Sequence, residues 1–133
     1  GRKILVLYTD GGDTRSQVSF SEVMEFVRAA DVTVYAIGLL EHQSSSVKAE
    51  QRMRLQQITE ATGGEAFFPF SMKDVEAAYE KILAQIRAQY SLGYVSTNTK
   101  TDGQWRKVEI TVRRPDLRIR TRKGYFAPYK ESR

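Results

Sequence analysis

The stretch Lys3-Ile4-Leu5-Val6-Leu7-Tyr8-Thr9-Asp10-Gly11-Gly12-Asp13-Thr14 decides the fold of this chain. An unbroken apolar run from Ile4 to Tyr8 is followed at once by hydroxyl, carboxylate and glycine. A short apolar run that ends near glycine is typical of a strand buried on both faces of a parallel sheet. Ligands of such sheets bind beyond the carboxyl ends of the strands, which is where Thr9 and Asp10 stand.

The residues after this stretch predict alternating helices and strands. The predicted elements are, in order, a helix over 20–30, a strand over 32–38, a helix over 48–62, a short strand over 65–70 and a helix from 72 to about 89. Ser19 and Glu22 predict a capping box at the start of the first helix. Gly63-Gly64 predicts a left-handed stop for the second helix, and Pro69 ends the third strand or marks it as an edge strand.

The pattern changes at Tyr90 to an alternation of apolar and polar residues. We therefore predict three antiparallel strands, over residues 90–95, 107–113 and 118–122. Residues 1–89 contain 10 Lys/Arg and 12 Asp/Glu, whereas residues 90–133 contain 11 and 4. We expect residues 1–89 to form a partial doubly wound, Rossmann-like α/β sheet with flanking helices. Residues 90–133 would form a three-stranded antiparallel β extension packed on it.

Composition narrows the possible functions. The 133 residues suffice for one domain, and the chain has no cysteine, so disulfides and thiolate chemistry are excluded. No apolar run approaches the ~20 residues that a membrane helix requires, and we find no signal peptide. The chain does not begin with Met, so we expect that Gly1 is a processed or engineered start and that further sequence preceded it.

Catalytic motifs are absent from the sequence. His42 is the only histidine and lies in a serine-rich loop, without a Gly-x-Ser-x-Gly nucleophile motif. The sequence contains neither of the two phosphate-binding glycine motifs, Gly-x-x-x-x-Gly-Lys and Gly-x-Gly-x-x-Gly. We therefore expect a binding module and not an enzyme.

Two groups of residues could bind a ligand. Asp10, beside a hydroxyl and a glycine turn, suits an oxygen-ligated divalent cation, although a loop Asp can instead bond to its own backbone. A basic cluster near the C-terminus suits an anionic polymer or nucleic acid, although the same charges can simply be solvated or protect an edge strand. Its candidate anion-binding residues are Arg106, Arg113, Arg118, Arg120 and Arg122.

The order of motifs resembles the C-terminal half of a von Willebrand factor type A domain. The resemblance rests on residues 4–11, on the following capped helix and strand, and on Ala61-Thr62-Gly63-Gly64. The tail, with Gln89-Tyr90-Ser91-Leu92-Gly93-Tyr94 and Arg122-Lys123-Gly124-Tyr125-Phe126, looks like the extension of bacterial, especially acidobacterial, members.

This resemblance implies a metal-ion-dependent adhesion site for Mg²⁺ or Mn²⁺. In these residues the site would be partial and would bind a cation weakly or not at all. The resemblance gives Asp10 as a ligand, and we expect Asp13 as a weaker second ligand, with Thr9 and Thr14 as supporting hydrogen-bond donors. An acidic residue of a protein partner would complete the coordination. The family's Asp-x-Ser-x-Ser ligands do not occur in these 133 residues, so we expect them before Gly1. The resemblance also implies export to the periplasm or the outside of the cell.

The missing half has a consequence for strand 3–8. The family places this strand in the centre of its sheet, whereas here no residue of the chain is predicted to cover its outer edge. We expect that two copies pair there, that the tail folds over it, or that an N-terminal segment of a longer protein covers it. The alternatives to an adhesion-type module are a basic adaptor and an assembly piece without a ligand site.

Overall fold

The computed structural model describes residues 3–10 and 19–131. Its elements are β1 (Ile4–Thr9), α1 (Phe20–Ala29), β2 (Thr33–Gly38), α2 (Ser45–Ala61), β3 (Ala66–Phe67), α3 (Met72–Arg87), β4 (Trp105–Lys107) and β5 (Gly124–Phe126). The mixed α/β class is as predicted.

The first three strands form one parallel sheet in the order β1-β2-β3. The pairing of β1 with β2 runs from Ile4 opposite Thr33 to Thr9 opposite Gly38. Within the described part of the chain β1 has a single neighbour, so it is an edge strand. Among residues 3–10 and 19–131, no strand covers the outer edge of β1.

Helices cover both faces of this sheet. Side chains alternate along β2, so successive residues of this strand pack against helices on opposite faces. Tyr35 and Ile37 pack against α3, in a core that includes Ile82. Val34 faces the other way and packs with Val27 of α1 and Ile58 of α2. The residues of β2 from Val34 to Gly38 are all buried, so this strand is the centre of the fold.

The predicted helix ends are largely confirmed. Ser19 and Glu22 form both hydrogen bonds of the capping box, with Glu22 N–H donating to Ser19 Oγ at 3.2 Å. Gly63 has φ of +84° just after α2, which is the left-handed conformation expected there. Helix α2 begins at Ser45, three residues before the predicted start, with Ser44 as its N-cap.

Gly64 allows β2 and β3 to come together. A Cβ atom at this position would lie 1.8 Å from the carbonyl oxygen of Val34. Only glycine permits so close an approach of two backbones. The second glycine of the pair is therefore required by strand packing, whereas the first is required by its dihedral angle.

The predicted burial of strand 3–8 on both faces is wrong. Leu5 is 46% exposed and Tyr8 is 48% exposed. Each lies on a different face of β1, since odd and even positions alternate. A strand with a neighbour on one side only leaves its side chains partly uncovered, which explains the difference.

The three predicted strands of the tail are also wrong. The described tail has one two-stranded antiparallel sheet, with Trp105 opposite Phe126 and Lys107 opposite Gly124. Residues 90–95 are not a strand, and the alternating side chains of Tyr90 and Leu92 are 90% and 75% exposed. An alternating pattern forms a strand only where a neighbour supplies hydrogen bonds, and no described strand pairs with residues 90–95.

The tail is attached at the amino end of the parallel sheet. Arg122 forms an isolated antiparallel bridge with Thr62, and the N–H of Lys123 donates to the carbonyl oxygen of Ala61 at 3.3 Å. The Arg120 guanidinium lies 2.7 Å from the carboxylate of Glu65, which directly precedes β3.

None of the described helices is long and apolar enough to span a bilayer.

Candidate functional site

Strands β1 and β2 end at the same level. Thr9 is the last residue of β1 and pairs with Gly38, the last residue of β2. The N–H of Leu39 then donates to the carbonyl oxygen of Thr9 at 2.9 Å. Asp10 follows immediately and is exposed, so its carboxylate stands at the sheet end where ligands of parallel sheets bind.

The loop after β2 is fastened to the exit of β1 by Gln43. Its Nε2 donates to the carbonyl oxygen of Asp10 at 3.1 Å, and the same nitrogen lies 3.1 Å from His42 Nε2. The N–H of Gln43 donates to the carbonyl oxygen of Leu40, which closes a tight turn. The hydrogen bond from Gln43 therefore fixes the backbone of Asp10 beside this loop. The polar composition of the loop did not predict this contact.

The start of α2 follows directly from this loop. Ser44 is the N-cap but makes no side-chain capping hydrogen bond, and no acidic residue lies in the first turn. The Oγ atoms of Ser44 and Ser46 are 3.5 Å apart. A helix start favours a negative group because of the helix dipole. At this start the Glu41 carboxylate lies 2.7 Å from Lys48 Nζ.

The described residues offer one part of the predicted metal site. Of the predicted ligands and supporting donors, Asp13 and Thr14 lie outside the described residues, whereas Thr9 is a half-buried strand residue. Residues 3–10 and 19–131 contain no group of three or more His, Cys, Asp or Glu side chains that could hold a metal ion. The described part alone therefore does not fit a complete cation site.

Three of the five candidate anion-binding arginines make contacts within the chain. Arg106 donates to Ser96 Oγ at 3.3 Å and to the carbonyl oxygen of Lys100. Arg120 pairs with Glu65, and Arg122 donates to backbone carbonyls. The strand predicted over residues 118–122 is absent, so Arg118, Arg120 and Arg122 do not share a strand face. Arg113 and Arg118 are exposed.

Arg106 also belongs to an aromatic cluster of the tail. Its guanidinium lies 5.9 Å from the centre of the Tyr125 ring, and Tyr94 donates its hydroxyl hydrogen to the Tyr125 hydroxyl at 3.2 Å. Donating this bond raises the pKa of Tyr94, and accepting it lowers the pKa of Tyr125. This arginine therefore helps to hold the tail together.

A polar network that the sequence did not predict surrounds Glu65. Gln85 of α3 donates to this carboxylate, which also binds Arg120. The Tyr35 hydroxyl accepts a hydrogen bond from Gln89 at 3.1 Å, and burial raises the pKa of Tyr35. The network joins the sheet, α3 and the tail, and its members have no common sequence motif.

An open groove lies on the helical side of the molecule. It has a volume of about 490 Å³ between α1, α2 and Trp105, with Glu25, Glu60 and Lys123 among its lining residues. The Arg28 guanidinium stands 5.8 Å from the centre of the Trp105 ring. Asp10 does not line this groove, which is therefore separate from the end of the sheet.

Comparison of the chain with protein-family models, with curated proteins and with solved structures gives no match in any of the three.

Proposed function

We propose that this chain is a non-enzymatic, adhesion-type protein-binding module, equivalent to the C-terminal half of a von Willebrand factor type A domain. The finer identity, a partial doubly wound Rossmann-like sheet, is supported by the parallel pairing of β1 with β2 and by helices on both faces. It is supported further by the position of Thr9 and Asp10 at the carboxyl end of β1. Export from a bacterial cell is part of the same proposal.

The hydrogen bond from Gln43 to the Asp10 carbonyl carries the proposal. It ties the backbone of Asp10 to the loop that leads into α2, whose N-cap Ser44 makes no side-chain capping hydrogen bond. An acidic side chain of a partner protein suits the helix start, because the helix dipole favours negative charge there.

A divalent cation, Mg²⁺ or Mn²⁺, would offset the repulsion between Asp10 and such an acidic side chain. Asp10 is the proposed ligand, Asp13 the second, and Thr9 and Thr14 the supporting donors. Because Asp10 is the only proposed ligand among the described residues, the remaining oxygen ligands would come from Asp13, from a segment that precedes Gly1 or from another chain.

The basic-adaptor alternative receives less support. Arg106, Arg120 and Arg122 are engaged inside the chain, which leaves Arg113 and Arg118 as the exposed members of the candidate set. Lysines of the tail, including Lys107 and Lys123, are also exposed and would add to the electrostatic footprint for an anionic polymer. Binding to heparin that weakens steeply with salt and is unchanged by Asp10→Ala would favour this alternative.

Thermal unfolding with added Mg²⁺ or Mn²⁺ tests the proposed cation. A ligand that binds only the native state at ten times its Kd raises the free energy of unfolding by about 1.4 kcal/mol. We expect a higher melting temperature for the unmodified chain and no change for Asp10→Ala. Asp31→Ala is the matched control, since Asp31 is an exposed aspartate that lies just before the N-terminal end of β2.

The outcomes separate the parts of the proposal. A shift that Asp31→Ala retains and Asp10→Ala loses would support Asp10 as a ligand, and the same experiment on Asp13→Ala tests the second ligand. Equal shifts in all variants, or no shift at millimolar metal, would contradict a cation site at Asp10.

A further inference from the structure

Two tyrosines of the tail meet at their hydroxyl groups. The Tyr94 hydroxyl donates to the Tyr125 hydroxyl at 3.2 Å, and the two ring centres are 6.5 Å apart with their planes inclined at 71°. The chain has seven tyrosines, and in the part of the chain that the structure describes this is the only contact between two tyrosine rings. These two side chains are therefore placed to react with each other.

One ring of the pair is held in position and the other can turn toward it. Tyr125 is the middle residue of β5 and lies opposite Arg106 of β4. Tyr94 is 66% exposed and lies in a segment that forms no strand. Exposed side chains change rotamer within nanoseconds. The ring carbons next to the two hydroxyl groups border the contact, so rotation of Tyr94 can bring a carbon of one ring to a carbon of the other.

No thiol competes with these phenols for an oxidant. Cysteine is the side chain that oxidants attack most readily when it is exposed as a thiolate, and this chain has none. The exposed Tyr94 and the partly exposed Tyr125 are accessible from solvent. One-electron oxidation of the tail is therefore directed to its aromatic side chains.

We propose that Tyr94 and Tyr125 form an oxidative modification site, at which a haem peroxidase and hydrogen peroxide generate a carbon–carbon cross-link between the two rings. Each phenol loses one electron and one proton, which leaves two tyrosyl radicals. The radicals couple through the ring carbons next to the hydroxyl groups, and the hydrogens on these carbons move to the oxygens, which restores both hydroxyl groups. The two electrons and two protons break the O–O bond of the peroxide and give two molecules of water.

The cross-link would fasten the segment after α3 to the antiparallel sheet of the tail. It would join residues 31 positions apart and enclose β4 in a covalent loop. No described strand pairs with residues 90–95, so the new bond would supply their covalent attachment to β5. Closing a loop in this way stabilises a fold by restricting its unfolded state, as a disulfide does. The cross-link does not involve Asp10, so its presence or absence leaves the proposed function unaffected.

Treatment of the dilute full chain with a haem peroxidase and limiting hydrogen peroxide tests the site. We expect dityrosine fluorescence in the monomer band of a denaturing gel. A tryptic digest should contain peptides 88–100 and 124–130 joined to each other, with a mass lower than their sum by two hydrogens. The purified cross-linked chain should melt at least about 5 °C higher than the untreated chain.

Variants assign the cross-link, because each of the two peptides contains a second tyrosine. Tyr94→Phe and Tyr125→Phe each remove one reacting hydroxyl and should lower the yield of the joined peptides at least tenfold. Tyr90→Phe and Tyr129→Phe are the matched controls, since Tyr90 and Tyr129 lie on the same peptides and are exposed. Both controls should give the yield of the unmodified chain.

Four results would overturn the proposal. These are cross-links between chains without one inside the chain, an undiminished yield in Tyr94→Phe, a yield lost in both control variants, and an unchanged melting temperature of the cross-linked chain. Far-UV circular dichroism verifies that each variant is folded. If Tyr125→Phe does not fold, the result for the exposed Tyr94 decides the matter.

Discussion

The guanidinium of Arg122 donates to the carbonyl oxygen of Val32 at 3.0 Å. The same side chain donates to the carbonyl oxygen of Arg28 at 3.0 Å and approaches that of Val27 at 3.4 Å. Arg122 therefore bridges the tail, the last turn of α1 and the start of β2. A cation at a helix C-terminus is favourable because the carbonyl groups there carry partial negative charge.

Replacing Arg122 should destabilise the molecule. Arg122→Ala removes a charged donor from three partly covered carbonyl groups, and we expect the free energy of unfolding to fall by about 2 kcal/mol. Arg118→Ala removes the same charge from an exposed position and should change stability by less than about 0.5 kcal/mol. Urea unfolding of the two variants measures the difference, and equal midpoints would contradict the role of Arg122.

Replacing Gly64 should be far more damaging than replacing another glycine. The Cβ of Gly64→Ala would meet the Val34 carbonyl at 1.8 Å, so β2 and β3 would have to move apart. We expect a loss of at least about 3 kcal/mol. Gly93→Ala is the matched control, because nothing lies within 4 Å of its Cβ. Thermal unfolding gives the comparison, and a Gly64→Ala protein as stable as Gly93→Ala would disprove the close strand approach.

The capping box should make stability depend on pH. The hydrogen bond from the Ser19 backbone N–H, with a smaller contribution from its side chain, holds the pKa of Glu22 below its ordinary value of 4.5. Glu22 therefore stabilises the fold above pH 4.5, and this contribution is lost as pH falls through the folded-state pKa.

The acid limb of the melting-temperature profile measures this effect. Glu22→Gln has no carboxyl group to titrate, so its melting temperature should fall less steeply below pH 4.5 than that of the unmodified chain. Glu25→Gln, on the same helix, is the matched control for the loss of one carboxylate from α1. Parallel profiles for Glu22→Gln and the unmodified chain would show that the capping bond does not contribute.

Local sequence signals predicted the N-terminal part well. Ser19 with Glu22, the β-branched and aromatic residues of 32–38 and the pair Gly63-Gly64 each act over a few residues, and each matches the structure. The tail was predicted poorly because strands depend on distant partners. The alternation from Tyr90 to Val95 has no described partner strand, and β4 forms instead at Trp105, where Phe126 packs edge to face at 4.9 Å.

Asp10 follows the first strand, as the sequence predicted, but its contacts were not predicted. A carboxylate after an apolar strand identified the location of Asp10, because the ends of parallel strands are general ligand sites. The side chain that binds the Asp10 carbonyl, Gln43, is separated from Asp10 by 33 positions and carries no local signal. Arg120 and Arg122 were assigned to a solvent-facing surface because a charge pattern does not distinguish an exposed arginine from one that binds carbonyl groups.

The long reach of Arg122 has a consequence for the order of folding. Its contact with Val32 joins residues 90 positions apart, whereas Ile4 of β1 pairs with Thr33, only 29 positions later. Closing the longer loop costs about 1 kcal/mol more in chain entropy. During synthesis, β1, β2 and their helices leave the ribosome before Arg122 does. The tail thus docks onto a sheet that already exists, and its docking completes folding without directing it.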